Sequence, residues 1–521
     1  MNTHALKLTL APMLVALLAA CAVGPDYREP DAPKSAASAG FSGAAQRDEF
    51  STAAPATAFW TVFGDAQLTA LVDKSLAANH DLRIALANLN QARALRREAR
   101  FDYLPTVTAQ GGYTQALTSQ GQFRGFDRDL RETEITSGGF DAFWELDFFG
   151  RVRRANQASA ANEQALAATL SDAQVSVAAE VARSYFELRG TQERRDVAAR
   201  NADNQLETVK LAKARLDAGR GTDFDVSRAQ AQLSTTLSAL PLLEATIENS
   251  IHRLSVLTGQ TPDALQGALR PVAALPELPR LAAIGTPSDL LRRRADVRAA
   301  ERRLASSTAQ IGVATADLFP RVTFSGEVGF AAANPSDIGH SSSETWSYGP
   351  GISWAAFDLG RVNARIDQTE AARDGSLARY EQTVLRALEE TENALVSYSR
   401  SRQQLDYLRD SVTASDRAVE LASARYDGGA SDFLDVLDAQ RAQLEAQDRL
   451  SAARTSTGTN LIALYKALGG GWTQDEAARA TTARAGSVDE PLRSSAAGSP
   501  PSARLAQVRI AQMSLPQKAA P

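Results

Sequence analysis

Two groups of aspartates are the residues whose type and spacing could do chemistry. The first group is Asp223 with Asp225, and the second is Asp432, Asp435 and Asp438. Grouped carboxylates could bind calcium, but both groups lack the glycine and the distal glutamate of a calcium-binding loop. Asp435 and Asp438 are three residues apart, so both can face one side of a helix. Helix capping and a ring of charge at a pore constriction are the two remaining interpretations.

The rest of the sequence contains no catalytic or metal-binding pattern. The four histidines stand far apart, at positions 4, 80, 252 and 340. A phosphate loop, a nucleophile elbow and an HExxH pattern are all missing. We therefore expect neither enzyme activity nor a metal or cofactor. The net charge of −5 also argues against a nucleic-acid partner.

Each aspartate group lies beside a glycine turn, and the two turns are copies of one element. ARLDAGRGTDFDVSRAQ and ARYDGGASDFLDVLDAQ match at a constant shift of 210 positions, as between Gly219 and Gly429 or between Asp225 and Asp435. A glycine ends one helix, and in the second copy Asp432 is expected to cap the next. We predict that these turns, at about 216–225 and 426–435, are the tips of two long helical hairpins.

Two pairs of strands are predicted from period-two alternation, with one apolar and one polar face. They lie at about 104–116 and 136–148, and at about 320–332 and 344–358. Such strands, with aromatic residues near their ends, fit a membrane β-barrel. A soluble sandwich with the aromatic residues in its core is the alternative. The polar loops between paired strands are expected to be extracellular, and the first is longer by five residues.

Long helices must connect the strands to the tips. Gly150 and Gly360 stand at the junctions, where glycine lets a strand bend into a helix. The first long helix should run from Arg151 to Asp217, about 100 Å at 1.5 Å per residue. Pro241 in the return helix predicts a kink or a break. The apolar stripes are narrow and have coiled-coil spacing.

The ends of the chain differ in composition from the two repeats. Residues 1–20 have one Lys, a short apolar run and small residues before Cys21, which is typical of a secretory signal; the run is too short for a transmembrane helix. Cys21 is the only cysteine, and we expect it to carry lipid. The predicted organisation is a lipidated extended tether (21–60), repeat 1 (61–285, with a Pro-rich linker from 260), repeat 2 (286–472) and a disordered tail (473–521).

Three motifs carry a resemblance to a known family. They are CAVGPDYREP from Cys21, the segment PSDLLRRRADVRAAERRLASSTAQIGVATADLFP from Pro287, and LYKALGGGW from Leu464. They resemble the TolC-like outer-membrane efflux factors, in particular the OprM/NodT-type lipoproteins, over nearly all of residues 21–472. The resemblance implies a mainly α fold with a membrane β-barrel. Three copies would share twelve strands and form a periplasmic α-helical tunnel.

The resemblance also implies a function and partners. The chain would be the outer-membrane channel of a tripartite efflux or secretion system, a passive exit duct for small molecules such as drugs. Its partners would be two further copies of itself, a periplasmic adaptor (membrane fusion protein), an inner-membrane transporter of the RND type and the lipid of the outer membrane.

Residue roles follow from the same resemblance. Asp435 and Asp438 match the closed periplasmic entrance, Leu434 could add an apolar ring, and Tyr426 matches a residue that ties neighbouring helices together. The family tie can also use an Arg in the turn, where this chain has Ser431; Arg425 or Arg441 could substitute. The tips should meet the adaptor; the residues assigned to this contact are Gly219, Asp225, Gly429 and Asp432.

Two other classes of protein stay open at this point. One is a periplasmic structural or adaptor protein built from coiled-coil hairpins and anchored only by lipid. The other is an enzyme that uses the acidic groups. Removing the lipid separates the first from a barrel, because an adaptor would leave the membrane and a barrel would stay.

We predict that mass spectrometry of the mature N-terminus will find a lipid-modified Cys21. The Cys21→Ser protein should still assemble and remain in the membrane, since the barrel supplies the stable hold. An unmodified Cys21, or cleavage at another position, would contradict this prediction.

Overall fold

The computed structural model describes residues 22–30, 40–44 and 49–470. The predicted signal peptide, Cys21, Trp472 and the predicted tail lie outside the described residues. A short strand, β1 (Phe50–Ser51), precedes the first repeat. The first repeat contains α1 (Ala66–Ala78), α2 (His80–Phe101), β2 (Thr106–Leu117), α3 (Arg128–Arg131), β3 (Glu132–Leu146), α4 (Arg151–Asp217), α5 (Asp223–Leu257) and α6 (Gln266–Leu269). The linker and second repeat contain β4 (Ala282–Ala283), α7 (Pro287–Arg293), α8 (Ala295–Ala316), β5 (Arg321–Ala332), β6 (Glu344–Ser353), α9 (Leu359–Asp427) and α10 (Phe433–Ala467).

The four long strands form one antiparallel sheet in the order β2-β3-β5-β6. Its register places apolar residues in rows on one face, such as the row Ala109, Phe140, Val328, Trp346. The adjacent row on the other face is polar: Thr108, Asp141, Glu327, Ser347. Within that row Thr108 donates to Asp141 over 2.6 Å, and Ser347 donates to Glu327 over 3.1 Å. A slip of one residue would turn the side chains of a strand to the opposite face and mix polar with apolar residues. The observed register keeps the two kinds of side chain on separate faces.

The apolar face of this sheet is exposed, which overturns the sandwich alternative. Phe140, Val328 and Trp346 expose 58%, 54% and 65% of their surface, and the apolar rows are not buried in a core. An apolar sheet face open to the surroundings is typical of a strand in lipid. In the part of the chain that the structure describes, no helix has an apolar stretch long enough to cross a membrane.

The long helices connect this sheet to the tips. α4 has 67 residues and passes through Gly190 without a break, which corresponds to about 100 Å. The break predicted at Pro241 is absent, because α5 is one helix from Asp223 to Leu257. Pro241 lies on the exposed side, while Leu233 before it and Ile247 after it are buried. Packing on both sides of the proline keeps the helix continuous past the missing hydrogen bond.

The described parts of the segment predicted as an extended tether contact the rest of the chain. The backbone N–H of Val23 donates to Phe149 O over 3.1 Å. The guanidinium of Arg154, which is 4% exposed, donates to the carbonyls of Val23 and Gly24 and pairs with Asp26 at 2.9 Å. Further along, the N–H groups of residues 42 and 43 donate to the carboxylate of Glu392. These backbone groups therefore find partners on the helices and beside them.

The main core lies where the bases of the two hairpins meet α1. Phe63 packs edge-on against Phe186 of α4, with ring centroids 4.9 Å apart. The buried guanidinium of Arg189 donates to the carbonyls of Leu269 and Pro271, over 3.3 and 2.9 Å, and so attaches the linker to α4. This core makes the base of both hairpins a single packed unit.

Arg294 joins three elements at the start of the second repeat. Its guanidinium donates to Asp296 of α8, to Glu390 of α9 over 2.8 Å and to the carbonyl of Ala467 at the end of α10 over 3.0 Å. Burial, followed by repulsion from Asp296, raises the pKa of the nearby Asp172 carboxyl. The segment that carried the strongest family resemblance therefore contains the clamp at the base of the second hairpin.

We predict that Gly458→Ala destabilises the protein by roughly 1–3 kcal/mol. A Cβ at Gly458 would lie 2.3 Å from the ring of Phe186, which is fully buried and cannot move aside. Gly375→Ala is the matched control, because it lies within α9 with open space around it. That change should be neutral or stabilise by up to about 1 kcal/mol. Thermal unfolding in detergent, followed by circular dichroism, tests the difference; equal midpoints would contradict it.

Candidate functional site

The two tips have the same backbone turn. Gly219 and Gly429 both have φ of 70°, in the left-handed region. In the first tip Gly219 N–H donates to Leu216 O over 2.9 Å, and the following N–H donates to the carbonyl of Arg215 over 2.8 Å. The second tip repeats both bonds at a shift of 210. This is a Schellman motif, in which glycine takes the left-handed position at the end of the helix.

The helices that leave the two turns begin differently. Thr222 caps α5, and its hydroxyl and the Asp225 carboxylate form a reciprocal capping box. Asp432 holds the equivalent N-cap position of α10, but its side chain makes no capping hydrogen bond. Asp432 therefore lies at the predicted capping position, but the capping hydrogen bond is absent. Its charge still lies at the positive end of a helix.

The proposed gate residues share one face of α10. Leu434, Asp435 and Asp438 are exposed, whereas Phe433 and Leu437 are buried against the first hairpin. The carboxylates of Asp435 and Asp438 make no hydrogen bond or ion pair with any described residue. Unpaired carboxylates along an exposed helix face are free to interact with ions or with another chain.

An arginine from the first tip lies over the tyrosine of the second. The Arg215 guanidinium is 3.9 Å from the centre of the Tyr426 ring and 3.5 Å from the Asp427 carboxylate. Phe433 packs on the same tyrosine, with ring centroids 5.3 Å apart. A cation held over an aromatic face is worth about 0.5–1 kcal/mol at an exposed site. This contact joins the two hairpins within one chain.

Arg215 was not among the residues predicted for this tie. Arg441, one of the expected substitutes, instead approaches Glu445 at 3.9 Å, and the Ser431 hydroxyl is buried without a hydrogen-bond partner among the described residues. The sequence does not distinguish the arginine that contacts Tyr426, because Arg215 and Arg425 occupy equivalent positions in the two repeats. Only the packing of the hairpins shows which of them meets Tyr426.

The two strand–helix junctions do not use glycine in the same way. Gly150 has φ of 81° and no room for a Cβ, which would meet Ala22 at 2.7 Å. Gly360 lies in the first turn of α9, without left-handed backbone, and has open space around it. The predicted junction role therefore holds at Gly150, while at Gly360 the helix has already begun.

None of these sites resembles a metal centre. Within the described ranges, no three His, Cys, Asp or Glu side chains are grouped so that they could hold a metal ion. The predicted lipid attachment residue, Cys21, lies outside the described residues, although Ala22 beside it packs against Gly150.

Comparison with known proteins gives consistent results across the chain. A family model described as outer membrane efflux protein matches residues 71–260 and 286–470, one match for each repeat. Nodulation protein T of Rhizobium leguminosarum bv. trifolii is 30% identical over 463 residues, which cover 88% of this chain and 97% of the relative. Outer membrane protein OprJ of Pseudomonas aeruginosa is 32% identical over 470 residues, 89% of this chain and 96% of that relative.

A solved structure of the outer-membrane channel OprN has the same fold. It superposes with a TM-score of 0.82 at 44% sequence identity, and the match covers 87% of this chain and 100% of that one. The fold similarity therefore includes the sheet, both hairpins and the linker between them.

We predict that Gly429→Ala loosens the second tip. A left-handed backbone costs a residue with a Cβ about 1–2 kcal/mol, which corresponds to about tenfold faster exchange of locally protected amides. The amides concerned are those of residues 429 and 430, which close the turn. Gly428→Ala is the control, since Gly428 has φ of −74°. Equal exchange in both variants, measured by mass spectrometry, would contradict the prediction.

Proposed function

The chain belongs to the outer membrane efflux protein family, and from this membership we propose how it assembles and closes. It is the outer-membrane channel component of an efflux system. The proposed active form is a homotrimer that forms one twelve-stranded barrel and one helical tunnel. The open four-stranded sheet with one exposed apolar face is the observation that carries this proposal.

The sheet supports assembly because it cannot close alone. β2 and β6 are its edge strands, and each has one side without a strand partner among the residues that the structure describes. Unpaired backbone groups cost several kcal/mol each in lipid, so barrels in membranes are closed. Pairing β6 of one copy with β2 of the next satisfies both edges and continues the apolar face around a ring.

The long helices support the same arrangement. The buried residues of α9 end at Leu405, and none of the following residues up to Asp427 is buried. Tyr407 and Leu421 in this part are 68% and 48% exposed. A helix without a buried stripe over this length needs a neighbour to cover it. In a trimer the first hairpin of the next copy would be that neighbour.

Partners follow from the place of the channel in a pump. Channels of this family are components of efflux pumps, and OprN is described as an outer-membrane channel. We propose a periplasmic adaptor that meets the tips at Gly219, Asp225, Gly429 and Asp432, and an inner-membrane transporter of the RND type. We also propose that lipid on Cys21 adds to the membrane hold. The chain itself would be a passive duct for small molecules such as drugs.

The exposed apolar sheet argues against the lipid-anchored adaptor alternative. A protein held only by lipid would have no reason to expose rows of aromatic and branched side chains on one face of a sheet. The unpaired aspartates, in turn, support a gate better than they support an enzyme. In the part of the chain that the structure describes, the side chains of Asp435 and Asp438 make no hydrogen bond or ion pair with another group.

The proposed gate is the exposed face of α10 at the tip. Leu434, Asp435 and Asp438 would face the axis, so that three chains place six carboxylates at the periplasmic mouth. Tyr426 under Arg215 would hold the end of α9, and through Phe433 the start of α10, against the first hairpin in the closed state. The carboxylates would attract cations, because negative charges gathered in a narrow mouth make the local electrostatic potential more negative.

We predict that Asp435→Ala combined with Asp438→Ala lowers the cation selectivity of the channel several-fold in planar bilayers. Removing six negative charges from the mouth weakens the local potential. Asp203→Ala combined with Asp410→Ala is the control, since it removes the same charge farther from the tip and should have a smaller effect. If both pairs change selectivity equally, the constriction lies elsewhere.

We predict that Arg215→Gln raises the resting conductance, because the contact between the tips is lost. Arg425→Gln, at the equivalent position of the second repeat, should leave the conductance unchanged. Tyr426→Leu should resemble Arg215→Gln, and combining the two should add little, as expected for residues that act through one contact. Unchanged resting conductance in Arg215→Gln, in Tyr426→Leu and in their combination would show that this contact does not hold the gate closed.

A further inference from the structure

The loop between β2 and β3 differs in chemistry from its counterpart in the second repeat. We call residues 118–131 the first outer loop and residues 333–343 the second outer loop. The first contains three arginines, at 124, 128 and 131, against two aspartates, at 127 and 129. The second contains Asp337 and no Lys or Arg. The longer loop therefore brings a set of cations that the other copy lacks.

Two of these arginines are available to a partner. Arg124 and Arg128 are exposed and have no ion pair or hydrogen bond with any described residue. Arg131 is different, since its guanidinium donates to Thr118 O over 2.9 Å and holds the base of the loop. Asp127 and Asp129 also make no ion pair with them, although they are neighbours in sequence. The guanidinium groups are thus not paired with the acids of the same loop.

The same loop carries exposed apolar side chains. Phe123 and Phe126 are 50% and 51% exposed and pack edge-on, with ring centroids 6.0 Å apart, while Leu130 is 70% exposed. At the end of β2, Leu117 on the apolar face of the sheet is 49% exposed. On the same face Gln115 lies opposite Glu134 and donates to Glu132 and Glu134, so the apolar patch of the loop is separate from the apolar rows of the strands and belongs to the segment that carries the arginines.

We infer that the first outer loop docks onto a phosphorylated lipid of the outer leaflet. Phe123, Phe126 and Leu130 enter the boundary between headgroups and acyl chains, where aromatic residues are favoured. Arg124 and Arg128 bind the phosphates, because the planar guanidinium forms paired hydrogen bonds to phosphate oxygens. The inference rests on the proposed orientation, in which the tips lie in the periplasm and the loops outside.

The arrangement favours this partner over a loop that folds across the channel mouth. A loop that closed over the polar mouth would bury its phenylalanines against polar residues. At the lipid boundary both kinds of side chain are satisfied together. Arg124 and Arg128 gain anionic partners, and the exposed apolar surface leaves water.

Reconstitution of the full-length protein into nanodiscs of defined lipid tests the inference, because the loop then meets the leaflet around its own barrel. The nanodiscs contain phosphatidylcholine alone, or with lipid A that carries two phosphates, or with lipid A that carries one, and the lipid A that stays with the protein in mild detergent is measured by mass spectrometry. We expect the protein to retain the diphosphorylated lipid best. Arg124→Gln combined with Arg128→Gln should reduce its retention at least several-fold and remove the preference for the second phosphate.

Arg220→Gln combined with Arg228→Gln is the matched control. It removes the same charge at the first tip, where Arg228 also lies beside an exposed aromatic residue, Phe224. That variant should retain the lipid like the unchanged protein. Equal loss in both variants would show a general charge effect and overturn the inference. Unchanged lipid retention in the loop variant would also overturn the inference. If the loop variant retains the lipid but changes the channel conductance, the loop lies at the mouth of the channel.

Labelling of introduced cysteines on intact cells separates this inference from the proposed orientation. Ser119→Cys should react with an impermeant maleimide from outside, and Thr222→Cys only after permeabilisation. If Ser119→Cys does not react, the orientation is wrong. If it reacts and lipid retention does not depend on Arg124 and Arg128, only the lipid inference fails.

Discussion

The unpaired edges of the four-stranded sheet are the constraint on which the rest of the structure depends. A bilayer offers no water to the backbone groups of β2 and β6, so these edges must find strands from other copies. Four strands are too few to close on themselves. In the proposed trimer each long helix takes its place in a ring, and α10 would bring its unpaired aspartates to the narrow end. The proposed gate would thus depend on hydrogen bonding about 100 Å away.

The two repeats share backbone features and differ in side-chain chemistry. Both tips have the same Schellman turn with glycine at φ of 70°, because no other residue takes that backbone without strain. The side chains around the turn are free to differ. The first repeat has Leu216 where the second has Tyr426, and it uses Asp225 in a capping box where the second leaves Asp435 unpaired. The two repeats therefore share the scaffold, and the side chains of the proposed gate belong to the second repeat alone.

The two hairpins pack through apolar residues at the base and at the tips, and through amides between these regions. At the base, aromatic residues such as Phe186 and the buried Arg189 join both hairpins and the linker. At the tips, Phe433 and Leu437 of α10 pack in a smaller apolar cluster against the first hairpin. In between, α4 and α10 meet through amides, as in the pair Asn201–Gln447. Gln205 there is 3% exposed, and both ends of its amide have no partner among the described residues, which weakens that part of the interface.

The sequence alone determined the features that depend on local chemistry. The repeat, the strands and the turns at Gly219 and Gly429 could be predicted, because side-chain period and the left-handed preference of glycine act over a few residues. The family resemblance added the channel and its place in the outer membrane. Contacts between distant segments could not be predicted in this way.

Tertiary structure decided those contacts. The segment around Val23 lies on the helices because Arg154 donates to its carbonyls, and α5 stays continuous at Pro241 because packing holds both sides. Arg215 and not Arg425 reaches Tyr426, because the hairpins pack with the first tip beside the second. In each case the deciding energy comes from groups far apart in sequence, which local patterns do not contain.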